Sequence, residues 1–348
     1  MQYTKQFDSV RAIAVIMVIV HHWGPENGML QRFTNQSLGP MGVDIFFVLS
    51  GFLITNILLA EKTKAESGGL SKGMLVRKFY LRRVLRIFPI YYLTIFGLLA
   101  IQPHFGFDIK PAFGYLATYT VNYYFIYTGD FGNLVNHLWS LSVEEQFYLV
   151  WPWMIVWFNK KYMGITIAAC IVLGISSQYL LSGMPLFNLH TITCLDALGM
   201  GALLAWVRHY YPSQLPVFAK WIAVISILVV GIFVFESLTE NWDIVPLRTI
   251  VSIATVCLLT FILEHQHATK NLLIRFLNSP VLIFIGKISY GIYLYHNIIP
   301  AIFNPLINKY LHLNITNFLL IDCSLLLVIS WLSYRFIEKP FIALKKRL

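Results

Sequence analysis

Charge is what this sequence has little of. Of 348 residues only 12% are Asp, Glu, Lys or Arg, about half of the roughly 25% usual in a soluble domain. That excludes a water-soluble body of 40.0 kDa, because too few polar groups exist to cover its surface. The four cysteines, Cys170, Cys194, Cys257 and Cys323, stand singly in apolar blocks. Without a CxxC pair or a neighbouring His at ligand spacing, they suggest neither a disulfide framework nor a metal site. Internal repeats, linkers and low-complexity tails are absent, so a single domain over residues 1–348 is expected. The start, Met1 to Val20, lacks a small-residue cleavage site and runs on into His21 and His22, so a removed leader is not expected.

What the chain has instead is apolar length. Hydrophobic residues make up 57% and the mean hydropathy is +0.67. They gather in blocks of about 18–22 residues, enough to cross a hydrocarbon core of roughly 30 Å. The pattern predicts an all-α polytopic membrane protein with about ten spans, near 9–24, 40–60, 79–101, 139–158, 162–181, 191–210, 217–236, 246–264, 281–303 and 316–337. The stretch 102–138 is aromatic-rich and broken by Pro103, Pro111 and glycines, and is expected to fold over the outer mouth of the bundle.

Positive charge sets the orientation. With both termini in the cytoplasm and ten alternating spans, 22 of the 26 Lys and Arg residues fall inside, among them Lys5, Arg82, Lys160, Arg275 and Lys345. Only Arg32, Lys110, Arg248 and Lys309 fall outside. Charge sorted in this way by membrane side argues against nucleic acid as a partner.

An ionisable group at the bilayer centre costs at least about 2.5–3.5 kcal/mol, so each one in a span needs a reason. The first span holds Arg11 near its inner end and His22 near its outer end. Eleven residues separate them by about 16 Å, close to a whole number of turns, so both face nearly the same way. A snorkelling arginine and an interfacial histidine would account for either alone, but less well for both on one face. The fourth span opens with Trp139, a plausible interface anchor, and carries Glu144 and Glu145 about 7–9 Å deeper. A carboxylate meeting His22 out of bulk water would make a general base. Adjacent residues lie about 100° apart on a helix, so the two glutamates are not expected to point at one spot, and both stay candidates.

The third span opens with Arg82, Arg83 and Arg86, of which Arg83 and Arg86 share a face. Basic residues at that place set topology in any membrane protein. Paired guanidinium forks also match phosphate oxygens, and a coenzyme A thioester is a donor that would suit them. The second span opens with Gly42, Asp44, Ser50 and Gly51. Its small residues allow close helix approach, while Asp44 is a carboxylate near the outer boundary.

Six motifs appear in order: Arg11 with His22, Gly42-Val43-Asp44-Ile45-Phe46-Phe47-Val48-Leu49-Ser50-Gly51-Phe52, Arg82-Arg83-Val84-Leu85-Arg86-Ile87-Phe88-Pro89, His137 to Leu149, Ser289 to His296, and Ser333 to Phe341. Together they resemble the integral-membrane acyltransferase family 3, the O-acyltransferases of bacterial surface polysaccharides, over essentially the whole chain. The resemblance implies transfer of an acyl group, usually acetyl, from cytoplasmic acyl-CoA to a glycan or lipid-linked sugar hydroxyl on the outer side of the bacterial plasma membrane. It implies His22 as the catalytic histidine, with Glu144 preferred over Glu145, and Arg11, Arg82, Arg83 and Arg86 toward the donor phosphates. Ser50, Asn122 and Glu338 match further positions without a defined role, and His21 is left structural. No metal is implied. Some family members carry an appended esterase-like domain; this chain is expected to act as a membrane domain alone or with a separate periplasmic or extracellular partner.

On that scheme acyl-CoA rises from the cytoplasm, its phosphates at the arginines and its thioester near His22. A transporter or lipid-linked glycan carrier is the rival class, since it too needs intramembrane His, Glu and Arg. Such proteins more often show broken helices in matching positions of two halves, a pairing not evident here.

Overall fold

The computed structural model describes residues 3–24, 38–68, 71–132, 134–239, 245–268, 270–308 and 315–344. Of the charges sorted above, Arg32, Lys309, Lys345, Lys346 and Arg347 lie outside the described residues. Helices and short turns make up the described chain, and no strand occurs among these residues. Among the described residues, six stretches are long and apolar enough to cross a membrane: Gly39–Gly68, Lys72–His104, Lys160–Leu180, Pro212–Glu236, Leu247–His265 and Asn317–Leu344. The protein is a multi-pass, all-α membrane protein. The other four expected spans are the polar or short ones, and they hold Arg11, His22, Glu144 and Glu145.

Helix α1 (Gln6–Trp23) carries both Arg11 and His22 in one unbroken run. Helix α2 (Gly39–Gly68) has 30 residues, or about 45 Å, so it outruns a hydrocarbon core of roughly 30 Å. Its last turns switch to Glu61, Lys62, Lys64 and Glu66. Lys62 is buried there and donates to the carbonyls of Ile155 (3.0 Å) and Phe158 (2.6 Å). That ammonium satisfies carbonyls that helix α6 (Trp139–Trp157) leaves open at its C-terminal end. Helix α3 (Lys72–Ile101) starts where Ser71 accepts from the Met74 N–H, and it carries Pro89 in its interior.

After α3, the short helices α4 (Lys110–Ala117) and α5 (Val121–Thr128) form the aromatic segment expected over 102–138. Tyr91 and Tyr92 reach up from α3 and donate to the carbonyls of Leu116 and Ala117, both at 2.8 Å. The chain continues through α7 (Lys160–Leu180), α8 (Leu195–Tyr210), α9 (Leu215–Thr239) and α10 (Leu247–His265). Helices α2 and α8 pack backbone to backbone, because Gly51 faces the Leu198 carbonyl and Gly201 faces that of Val48. A Cβ at either glycine would collide with main chain, which is how small residues bring membrane helices close.

The ninth expected span, 281–303, is corrected by the structure. It is three helices: α12 (Pro280–Lys287), α13 (Ser289–Tyr295) and α14 (Ile298–Asn308), after α11 (Leu272–Leu277). Gly286 seats α12 against the backbone of Asp8 on α1, leaving no room for a side chain. Ser289 Oγ donates back to the Gly286 carbonyl at the first break, and His296 to the Tyr293 carbonyl at the second. Helix α15 (Ile315–Ser333) runs into a π-helical turn, Tyr334–Glu338, and α16 (Lys339–Leu344). Gln6 donates to the Gln266 carbonyl and to Asn278 Oδ1, and Tyr3 and Asp8 lie within electrostatic reach of Tyr334. Both ends of the described chain therefore lie at one end of the bundle.

Candidate active site

A column of polar groups runs through the bundle between α1, α2, α3, α6 and α13. It passes His137 in the 3₁₀ turn before α6 and then follows Ser140, Glu144 and Tyr148 along α6, four apart and so on one face. At the level of Glu144 it opens into a cavity of about 200 Å³, bordered by Arg11, Ser50, Arg83, Arg86, Glu144, Glu145, Tyr148, Tyr290 and Tyr293. A wider depression of about 570 Å³ adjoins it, sharing Arg83 and Arg86 and adding Glu61, Lys78 and Arg82. The arginine end is therefore open in two stages, a basic vestibule and a narrower chamber.

None of these arginines is a bare charge. Arg11 binds Asp8 at 2.7 Å, and Tyr3 donates to the same carboxylate. The Arg83 guanidinium lies 4.4 Å from the centre of the Tyr148 ring and 5.9 Å from that of Phe79, a cation–π setting that fixes its plane. Arg82 faces Glu61 at 3.7 Å on the vestibule wall. Arg86 is exposed and borders both spaces. It acts electrostatically on Arg11 and on Glu338, whose buried carboxylate comes from the π-helical turn and has an oxygen without a partner among the described residues.

Both glutamates, the two candidates the sequence leaves open, border the chamber. Ser50 donates to Glu144 Oε1 at 2.6 Å. Glu145 Oε1 is buried without a partner among the described residues, in the field of Arg83.

The expected meeting of His22 with Glu144 is also corrected. Glu144 sits with Ser50 and the arginines, seven residues or about 10 Å along the helix from His137. His22 stands at the other end of the column, exposed, with its ring centre 4.9 Å from that of His296. Depth explains the difference: α6 carries its carboxylates below the aromatic layer that His22 reaches. His296 is 0% exposed, its ring centre 4.7 Å from that of His137. Its Nδ1 donates to the Tyr293 carbonyl at 2.7 Å, which leaves Nε2 as a bare lone pair, unpartnered among the described residues. His137 donates from Nε2 to the Leu294 carbonyl and accepts at Nδ1 from Asn297, both at 3.2 Å. These rings meet tilted or edge-on in a row, at 53° between His22 and His296 and 69° between His296 and His137, and no group of three or more metal-ligating side chains occurs among the described residues.

Tyr293 separates the histidines from the chamber. Its hydroxyl donates to the His137 carbonyl at 2.8 Å, shares a 2.6 Å hydrogen bond with Ser140 Oγ, and its ring borders the cavity. His137, Ser140, Tyr293 and His296 all lie in motifs visible in the sequence, yet sequence reasoning assigns them no role. Only the break after Tyr295 turns His296 inward toward His22.

Two other candidates lie off the column. Asn122, 0% exposed, donates to the Leu189 carbonyl at 3.1 Å and accepts from Gln146 at 3.0 Å, and Thr191 donates to the same Gln146. It ties α5 and α6 to the 187–194 turns. Asp44 is bound by Arg248 at 2.7 Å, and Arg248 also donates to the carbonyls of Thr193 (2.8 Å) and Asn188 (3.1 Å). That carboxylate anchors α10 and the same turns to α2.

Residues 4–335 match the family model described as an acyltransferase domain. The chain is 31% identical to the peptidoglycan O-acetyltransferase OatA of Listeria monocytogenes, over 97% of this chain and 56% of that protein. It is 28% identical to the O-acetyltransferase OatA of Staphylococcus aureus strain NCTC 8325, over 97% of this chain and 57% of that one. The chain thus spans a little over half the length of these curated relatives. No solved structure matches it.

Proposed function

This chain belongs to the acyltransferase domain family, and from that premise we propose that it is a membrane O-acyltransferase. It moves an acyl group, most simply acetyl, from cytoplasmic acyl-CoA to a hydroxyl of an envelope or lipid-linked glycan across the plasma membrane. The observation that carries this reading is the two-ended column, with an arginine-lined chamber at one end and an exposed histidine at the other. A phosphate-rich thioester suits the first end and a hydroxyl acceptor the second.

The donor's phosphates lie against Arg86, Arg82 and Lys78 in the vestibule, with Arg83 and Arg11 at the chamber. The chamber of about 200 Å³ is too small for a whole coenzyme A, so it takes the pantetheine arm. The thioester then comes up beneath Tyr293. His22 removes the proton from the acceptor hydroxyl, and the oxygen attacks the thioester carbonyl carbon. A C–O ester bond forms, the C–S bond breaks, and the proton returns from His22 to the CoA thiolate, so that ester and free CoA leave. His296, packed at a tilt against His22, holds that ring in place. Glu144 and Glu145 serve the donor end, where they balance Arg83 and set the chamber's field.

The test is the purified protein in lipid nanodiscs, given acetyl-CoA and glycan fragments from the envelope of the cell that makes it. Appearance of CoA thiol together with glycan-borne acetyl is the expected result, abolished in His22→Ala. Glycan transfer by His22→Ala at the wild-type rate would overturn the assignment of the base.

A further inference from the structure

A second cleft lies at the His22 end of the bundle, separate from the arginine chamber. It has a volume of about 580 Å³ and is lined by Trp23, Pro300, Asn304, Pro305 and Asp322, among others. Trp23 follows His22 on α1, twelve residues or about 18 Å from Arg11. Asn304 comes from α14, which starts just after His296, and Asp322 from α15. Asp322 is only 4% exposed, and Asn304 Nδ2 donates to its Oδ2 at 3.0 Å. The remaining oxygens of that pair, Asp322 Oδ1 and Asn304 Oδ1, are buried without a hydrogen-bond partner among the described residues.

A buried acceptor without a donor costs about 1–3 kcal/mol, and this wall holds two side by side. A carboxylate inside a membrane protein is costly unless it serves a function or a partner. Among the described residues, what the two oxygens lack is a pair of hydrogen-bond donors. Among the described residues, no Lys or Arg lines the cleft. Beside them stand an indole and two proline rings, flat apolar surfaces. A sugar ring supplies both requirements, hydroxyl donors around its edge and an apolar C–H face. Trp is suited to such a boundary because it offers an apolar face with a polar edge.

We propose that this cleft is the acceptor subsite, which takes a sugar residue of the glycan. The sugar lies against Trp23, with its hydroxyls donating to Asp322 and Asn304. A neighbouring hydroxyl of the same chain is then presented to His22, one residue away and exposed. The inference rests on the O-acyltransferase reading and adds where the acceptor is held. It also explains why a buried carboxylate sits between α14 and α15, helices with no other charged residue.

The test uses Trp23→Ala, Trp23→Phe and Asp322→Asn in the full chain, reconstituted in nanodiscs. Soluble glycan fragments from the producing cell's envelope are the acceptor. Two readouts are taken: glycan-borne acetyl as a function of fragment concentration, and binding of acetyl-CoA without acceptor. Trp23→Ala and Asp322→Asn are expected to raise the fragment concentration for half-maximal transfer about tenfold or more. Acetyl-CoA binding should stay within about twofold, and Trp23→Phe, which keeps a flat ring, should recover part of the loss. Unchanged acceptor dependence in both variants would overturn the subsite. So would a parallel fall in acetyl-CoA binding, which marks the Asn304–Asp322 bond as helix packing alone. If the wild-type protein binds acetyl-CoA but acylates no fragment, the proposed function itself fails, and the subsite with it.

Discussion

The imidazole of His296 lies ring to ring with that of His22, centroids 4.9 Å apart, and is pinned from behind by the Tyr293 carbonyl at 2.7 Å. A buried ring with one nitrogen spent on a carbonyl is held in orientation and tautomer, and His22 packs against it. His296→Ala is therefore expected to lower kcat for acyl transfer by about tenfold to a hundredfold, since misplacement near 1 Å can cost that much. The KM for acetyl-CoA should stay within about twofold, because the donor binds at the other end of the column. Steady-state kinetics in nanodiscs decide this, and equal changes in kcat and donor KM would remove His296 from its positioning role.

Arg83 and Arg82 are neighbours in sequence but not in setting. Arg83 lies over the Tyr148 ring at 4.4 Å and borders the chamber, whereas Arg82 sits on the vestibule wall beside Glu61 at 3.7 Å. A planar guanidinium stacked on a ring is not replaced by an ammonium. Arg83→Lys should weaken acetyl-CoA binding about tenfold, and Arg82→Ala by no more than about threefold, in keeping with the small value of exposed pairs. Binding of acetyl-CoA by calorimetry is the measurement. Equal losses in the two variants would mean that the arginines act only through net charge.

Asp44 and Arg248 form a buried pair that touches three elements, with side chains 3% and 7% exposed. Removing one partner strands the other, a loss of about 3–5 kcal/mol. Asp44→Ala should accordingly lower the thermal midpoint of the protein in detergent. The double variant Asp44→Leu with Arg248→Met should recover much of that loss, because no charge is then left alone. A double variant no more stable than Asp44→Ala would show that the bonds from Arg248 to Thr193 and Asn188 matter more than the ion pair.

How far the sequence reaches is visible in these same residues. Apolar length is a local property, and it located the helices, the polar helix carrying Arg11 and His22, and the aromatic segment between α3 and α6. Pairings across the chain are not local. Asp44 and Arg248 stand 204 positions apart, and nothing in either segment names the other. Hydropathy is also blind to breaks inside an apolar run. Residues 281–303 contain Gly286, Gly291 and Pro300, but none of them stands at either break, so hydropathy did not place the two that aim Tyr293 and His296 inward. Depth along a helix follows from counting residues, but which neighbour waits at that depth does not. For that reason the expectation pairs Glu144 with His22, whereas Ser50 donates to it and Arg83 and Arg86 lie within electrostatic reach.

Glu144 distinguishes the two arrangements by experiment. Paired with His22, its charge would support the protonated ring, and Glu144→Gln would shift the pH midpoint of kcat. Bound to Ser50 at 2.6 Å in the field of Arg83 and Arg86, it instead offsets cationic charge at the donor end. Glutamine keeps the size and still accepts from Ser50, while the chamber gains one unit of net positive charge. Phosphate-bearing ligands are then attracted more strongly, so free CoA should bind about threefold tighter or more, an effect that shrinks as salt is raised. Slower product release would lower kcat without moving its pH midpoint. The check is CoA affinity at low and high ionic strength beside a kcat–pH profile. Weaker CoA binding with a displaced midpoint would return Glu144 to His22.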